Sequence, residues 1–406
     1  MKTRFFLLLL LLSYNSHANI KEKRHPYNFI LRGHVIGKHT HSLHMKYIDG
    51  YGKTLDQKVY IKNGSFVIKG YISSPVCAGI LNDIKINPNN HEDISNYVDV
   101  FLCPGAMTIS LKENDFYHAK ITGSIMQKES IDFYEQRQPI LKSKDSLDFL
   151  MNKLRRLINT EEVHKAYLVL LNQSDKLDIK DDLFEYNFIK THPDSYFSAY
   201  LLDNCFDPGD GISLDSAESY YNRFTPAVKS SVAGLSVWKK ITYKKASAPG
   251  SIAPLFTAID IHGRMLGLKS FRHKNYVLLQ FWASWCQCND NKHLKKLYNT
   301  YRTNGLEIIA ISTDFRDSGW IDTIKRQSIG MWHHISEYIG TSQHITLQYL
   351  YNINSMPPAT LFLIDKEGKI LGRYYGSIKQ DYEKNIDEGN LDSLDKKLAE
   401  VFPANK

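Results

Sequence analysis

Long apolar runs, blocks of like charge and low-complexity tracts are all missing from this 406-residue sequence, and cysteine is scarce. With no low-complexity tract, and with 43% apolar and 12% aromatic residues, the chain is expected to fold as two or three domains rather than stay disordered. The apolar segment from Phe5 to Leu12 is too short to hold the chain in a bilayer, which argues against stable membrane insertion. Basic residues exceed acidic ones by 51 to 43, but they are scattered. Pairs such as Lys239-Lys240 and Lys244-Lys245 read as solvated faces, so nucleic acid is not an expected partner. Five cysteines cannot all pair. Cys286 and Cys288 stand one residue apart as the redox candidate, which leaves Cys77, Cys103 and Cys205.

Lys2 and Arg4 precede the first apolar segment, and Ser16-His17-Ala18 follows it with small residues at a cleavage position. Residues 1–18 are therefore expected to be a cleaved signal peptide that sends the chain to the periplasm or cell envelope. No cysteine follows the signal, so lipid attachment at the mature N-terminus is not suggested. Cleavage removes two basic residues and no acid, and the formal charge falls from +8 to +6.

Residues 26–124 carry short alternating runs, among them NFILRGHVI, QKVYIK, SFVIKGYI, YVDVFLC and AMTISLK. Each has the period of a half-buried strand, and the spacing predicts an antiparallel β-sandwich. Asn63-Gly64 is the signal of a two-residue type I′ turn, because both central positions of that turn need positive φ. With Gly64, Phe66 and Gly70 of NGSFVIKG and the later CPGAMTISL, the segment resembles an uncharacterised β-rich domain that precedes a thioredoxin-like domain in many exported bacterial proteins. Cys77 and Cys103 both fall in predicted strands, and two buried core thiols are preferred over a structural disulfide.

From about Ile125 the period changes from 2 to 3.6. Leu147, Leu150, Met151, Leu154, Leu157 and Ile158 share one helical face, and Pro193 separates two further helical runs. Residues 125–233 read as a helical connector, and residues 234–252, ending in KKASAPGSIAP, as a linker.

Residues 253–406 alternate strand and helix, the pattern of an α/β sheet covered by helices. Expected strands are 306–312, 332–335, 361–364 and 370–374, and expected helices are 317–329 and 341–351. The stretch that organises them is YVLLQFWASWCQCNDNKHLKKLYNT at 276–300. Val277, Leu278, Leu279, Phe281 and Trp282 make a continuous apolar run, as in a strand buried on both faces. Leu294, Leu297, Tyr298 and Tyr301 then recur with helical spacing. The cysteines lie at the joint, where unpaired N–H groups and the positive end of the helix dipole favour a thiolate.

FWASWC followed closely by a second cysteine resembles the thioredoxin superfamily, and specifically the TlpA-like and ResA-like thiol-disulfide oxidoreductases of bacterial envelopes. APLFTAIDIHGRMLGLKSF, LEIIAIS and NSMPPATLFLIDKEGKIL match that family's opening segment, second central strand, and cis-proline segment with hairpin. One departure is that the family's Cys-x-x-Cys is here Cys286-Gln287-Cys288.

The resemblance implies a redox enzyme without a cofactor. Its partners would be protein substrates with disulfides or thiols, and an upstream thiol protein that donates electrons. Cys286 would attack and Cys288 would resolve, with Trp282, Trp285, Met356 and Pro357 lining the substrate site and Pro357, or else Pro358, standing at the cis-proline position. The acid the family places after its second cysteine falls on Asp290, expected to point inward and relay a proton, while the superfamily's other buried acid is Gln280, which cannot titrate. A disulfide across one intervening residue closes a smaller ring than one across two, so the pair is expected to be easily reduced.

A second reading is soft-metal delivery, with Cys286 and Cys288 joined by His293, or by His333 and His334 from the later strand, around copper(I) or zinc. No histidine matches the distant position that copper-delivery relatives use. Peroxide reduction would need a Thr-x-x-Cys environment, which Ser284-Trp285-Cys286 does not supply.

Overall fold

Strands with period-two burial come first: β1 (Phe29–Ile36), β2 (Ser42–Ile48), β3 (Thr54–Tyr60), β4 (Ser65–Gly70), β5 (Val76–Asn82), β6 (Tyr97–Leu102), β7 (Gly105–Lys112) and β8 (Lys120–Thr122). The computed structural model describes residues 27–82, 94–157, 160–207, 210–286, 290–314, 317–338, 346–353, 359–376 and 390–403. Two units emerge, one built from the β-rich segment up to Ser124 and the other from Ile125 onward, which residues 74–77 join.

The first unit holds two four-stranded sheets, ordered β4-β1-β7-β8 and β3-β2-β5-β6. Their buried faces meet at Phe29 of β1 and Tyr47 of β2, whose rings pack edge to face at 5.7 Å. Asn63 and Gly64 have φ of 50° and 72°, and Lys62 and Ser65 exchange backbone hydrogen bonds of 2.9 Å across them, as the I′ turn requires. The strands it joins then part, β3 to one sheet and β4 to the other. Pairing is not antiparallel throughout, because β1 and β7 run parallel from Phe29↔Gly105 to Ile36↔Lys112. Local alternation specifies a strand, but not which distant strand it joins. Cys77 and Cys103 are free and half-buried, with Cys103 Sγ 3.1 Å from Ser124 Oγ, so neither the disulfide nor full burial is found.

The second unit opens with two long helices, α1 (Ile125–Arg155) and α2 (Glu161–Thr191). Arg137 of α1 grips Asp181 of α2 with two hydrogen bonds of 2.6 and 2.9 Å, and Lys144 reaches the same carboxylate at 3.0 Å. The expected apolar face is only partly used: on α1 Met151 is buried and Leu150 exposed, and Leu157 is exposed beyond the end of the helix. After Pro193 come α3 (Tyr196–Cys205), the two-residue strands β9 (Phe206–Asp207) and β10 (Asp210–Gly211), then α4 (Leu214–Arg223), α5 (Pro226–Lys229) and α6 (Val232–Ala246). Helix α6 occupies most of the stretch read as linker. Ser231 caps it by accepting from Gly234 N at 3.0 Å, and Val237 and Ile241, four residues apart, are fully buried, while Lys239 is exposed and Lys240 pairs with Asp203 of α3 at 3.0 Å.

The remainder contains the hairpin β11 (Thr257–Ile259) and β12 (Met265–Gly267), then β13 (Tyr276–Trp282), α7 (Asn291–Tyr301), β14 (Leu306–Ser312), α8 (Asp317–Gln327), β15 (His333–Ser336), α9 (Leu347–Leu350), β16 (Thr360–Ile364), β17 (Ile370–Tyr375) and α10 (Leu391–Val401). Five strands form one sheet in the order β15-β14-β13-β16-β17; the first three are mutually parallel, β16 runs antiparallel to β13, and β17 runs antiparallel to β16. Strand β13 lies at its centre. Val277, Leu279 and Phe281 enter one core with Ile309, Phe362 and Tyr351, and Leu278 and Trp282 enter the other with Leu294, Leu297 and Leu398. Burial on both faces is why β13 is a continuous apolar run rather than an alternating one.

Candidate active site at the end of the central strand

Strand β13 delivers the chain to the edge of the sheet at Trp282, and a turn closed by Cys286 N donating to Ala283 O at 3.1 Å carries it toward α7. Cys286 is half-buried and disulfide-bonded, while Cys77, Cys103 and Cys205 are free. Burial raises the Cys205 thiol well above its ordinary value, aided by Glu185, which makes it a poor nucleophile. Cys288, Met356, Pro357 and Pro358 lie outside the described residues.

The neighbouring strand β14 holds the turn in place. Ser284 donates twice to Asp314, from its backbone N to Oδ2 at 2.9 Å and from Oγ to Oδ1 at 2.6 Å. Beneath the turn, Gln280 is fully buried and its Nε2 donates to Asn291 Oδ1 at 2.8 Å, while Asn291 Nδ2 donates to Gln327 Oε1 at 2.6 Å. These amides tie the first residue of α7 to the core of β13 and the end of α8. Further along the same sheet edge, Glu337 N donates to Ser312 O at 2.8 Å, and burial pushes the Glu337 carboxyl above its ordinary range.

Two expected site residues are placed differently. Asp290 does not point inward with the apolar face of α7. It is the half-buried N-cap, with φ 38°, and its side chain accepts from His293 N at 3.4 Å. The inward position belongs to Asn291, because α7 begins one residue later than the expected register requires. Trp282 cannot line a substrate rim, since it is fully buried on the α7 side of the sheet. Trp285 is 63% exposed beside Cys286 and is free to do so.

The candidate metal-binding histidines are engaged elsewhere. His293 Nε2 lies 2.8 Å from Asp395, His333 Nε2 lies 3.4 Å from Glu307, and His334 Nε2 lies 2.8 Å from Ile329 O. Among the described residues no three metal-ligating side chains gather.

Residues 249–373 match the AhpC/TSA family, and residues 29–130 match a domain of unknown function, DUF4369. The thiol-disulfide oxidoreductase ResA of Bacillus thuringiensis subsp. konkukian is 30% identical over 129 residues, which are 31% of this chain and 69% of that protein. The chain belongs to the ResA-like thiol-disulfide oxidoreductases. ResA of Bacillus cereus is 29% identical over 159 residues, 38% of this chain and 79% of the relative. A solved thiol-disulfide oxidoreductase from Bacteroides fragilis shares 29% identity over 37% of this chain and 100% of its own, with a TM-score of 0.30.

The ResA-like family pattern led to Cys286, but Ser284, Asn291 and Asp314 escaped it. Ser312-Thr313-Asp314, a polar triplet that begins with the last residue of an apolar strand in an α/β domain, was the available signal, since strand ends there face the ligand site.

Proposed function

We propose that this chain is an exported thiol-disulfide oxidoreductase that exchanges protein disulfides through Cys286 and Cys288. The carrying observation is that Cys286 is disulfide-bonded at the strand–helix joint while Cys77, Cys103 and Cys205 are free, which leaves Cys288 as the remaining cysteine of the five. Reduced Cys286, as thiolate, attacks one sulfur of a substrate disulfide; an S–S bond forms to Cys286, the substrate S–S bond breaks, and the leaving sulfur takes a proton. Cys288 thiolate then attacks Cys286, forming the internal disulfide and releasing the substrate as a dithiol. Two electrons pass from enzyme to substrate, and an upstream thiol protein restores them. The same steps in reverse oxidise a dithiol. A ring closed across one intervening residue favours the reduced pair, which suits an oxidant or isomerase.

Trp285 and the segment Met356-Pro357 would receive the substrate chain. A signal at residues 1–18 would place the enzyme in the periplasm or envelope, and no described helix is long and apolar enough to cross a membrane. Cys286→Ala should abolish mixed-disulfide formation with a disulfide peptide, and Cys288→Ala should accumulate it, as read by mass spectrometry. Normal turnover by the Cys288→Ala protein would contradict the assignment.

A further inference from the structure

The exit of β13 is clamped by groups that the exchange chemistry does not itself use. Trp282 O accepts from both Thr313 N at 2.8 Å and Thr313 Oγ1 at 3.1 Å. One residue further, the Asp314 carboxylate takes three donors: Ser284 N at 2.9 Å, Ser284 Oγ at 2.6 Å and Ser312 Oγ at 2.8 Å. Ser312 Oγ in turn accepts from Asp314 N at 3.2 Å, which locks the carboxylate's own orientation. Asp314 is 7% exposed, and among the described residues no cation pairs with it. A buried carboxylate without a counter-ion is costly unless hydrogen bonds satisfy it, and here two of three come from the residue two places before the nucleophile. Gly319 of α8 leaves room for the clamp, because a Cβ there would stand 2.8 Å from Ser284 Oγ.

We infer that Asp314 is a positioning residue for Cys286, its carboxylate holding the 283–286 turn so that the thiolate meets an incoming disulfide in a productive orientation. The inference rests on the exchange function proposed above. Attack on a disulfide demands alignment of three sulfurs, whereas alkylation by a small reagent demands little beyond a thiolate. Asn at 314 keeps one acceptor for Ser284 N and Ser312 Oγ and turns its amide toward Ser284 Oγ, which can accept from it. Ala offers nothing to either.

The test uses the full chain, fully reduced, with two rates measured for wild type, Asp314→Ala and Asp314→Asn: reduction of oxidised glutathione, and alkylation of Cys286 by iodoacetamide at its alkaline plateau, located by peptide fragmentation. The expected result is a loss of about a hundredfold in glutathione reduction for Asp314→Ala, restored to within about fivefold by Asp314→Asn, with alkylation plateaus of all three within about twofold. Reduction by Asp314→Ala within about threefold of wild type would overturn the inference. So would an Asn variant as poor as Ala, or exchange and alkylation falling together. If Asp314→Ala does not fold, a slow Asn variant with a normal alkylation plateau is itself contrary. Failure of the wild type to reduce any disulfide would remove the proposed function and this inference with it, and is read before any variant is made.

Discussion

Two tryptophans three residues apart end in opposite environments, and their substitutions should separate accordingly. Trp282 is fully buried in the core cluster that holds Leu278, Leu294 and Trp320, so Trp282→Ala opens a cavity and should cost about 3–5 kcal/mol in urea unfolding. Trp285 is 63% exposed and buries little, so Trp285→Ala should change stability by less than about 0.5 kcal/mol while raising KM for a disulfide peptide. A stable Trp282→Ala protein, or a Trp285→Ala protein with unchanged KM, would contradict these placements. The resemblance set both tryptophans in the substrate site, although only Trp282 belongs to the apolar run, and burial depends on which residue ends the strand.

Helix α7 begins at Asn291, and Asp290 acts on it as a cap. Asp290→Asn should keep stability within a few tenths of a kcal/mol, since Asn accepts from the same N–H and tolerates the left-handed φ, whereas Asp290→Ala should lose about 1 kcal/mol. Both should exchange disulfides at wild-type rates. An Asn variant that is slow, with one limb of its pH–rate profile missing, would return the carboxylate to proton transfer. The elements of both units were legible where their signals are local: a continuous apolar strand and a helical repeat at Leu294 and Leu297 in the second unit, a hairpin turn at Asn63-Gly64 in the first. What was not legible depends on contacts between distant segments. The parallel pairing of β1 with β7 joins strands some seventy residues apart, as the register Phe29↔Gly105 shows. Helix α6 was hidden by its lysines, because only the burial of Val237 and Ile241 reveals a packed face. Asp314 was missed for the same reason, its role being set by a turn thirty residues earlier in the chain.

At the scale of the whole molecule, acid should weaken the fold through His334. This side chain is 1% exposed, and burial lowers its imidazole from 6.5 to about 4. Between those values the unfolded chain binds the extra proton and the folded chain does not, so stability is full above about pH 6.5 and falls as pH drops toward 4, by up to about 3 kcal/mol. Glu337 has the opposite sign, since its raised carboxyl stabilises at low pH and that contribution is lost as pH rises through its folded value. Urea midpoints at pH 7, 5.5 and 4.5 should therefore fall more steeply for wild type than for His334→Gln; parallel curves would show that His334 does not control the acid limb. The central claim, that Cys286 and Cys288 form one redox pair, is tested most directly by equilibrating the full chain with glutathione buffers, quenching with alkylating agent and assigning every thiol by peptide mass. The account predicts that Cys286 and Cys288 leave the alkylated pool together in a single two-electron transition, tenfold for about 30 mV, while Cys205 stays reduced. Cys286 oxidising without Cys288, or remaining alkylated across the whole series, would contradict it.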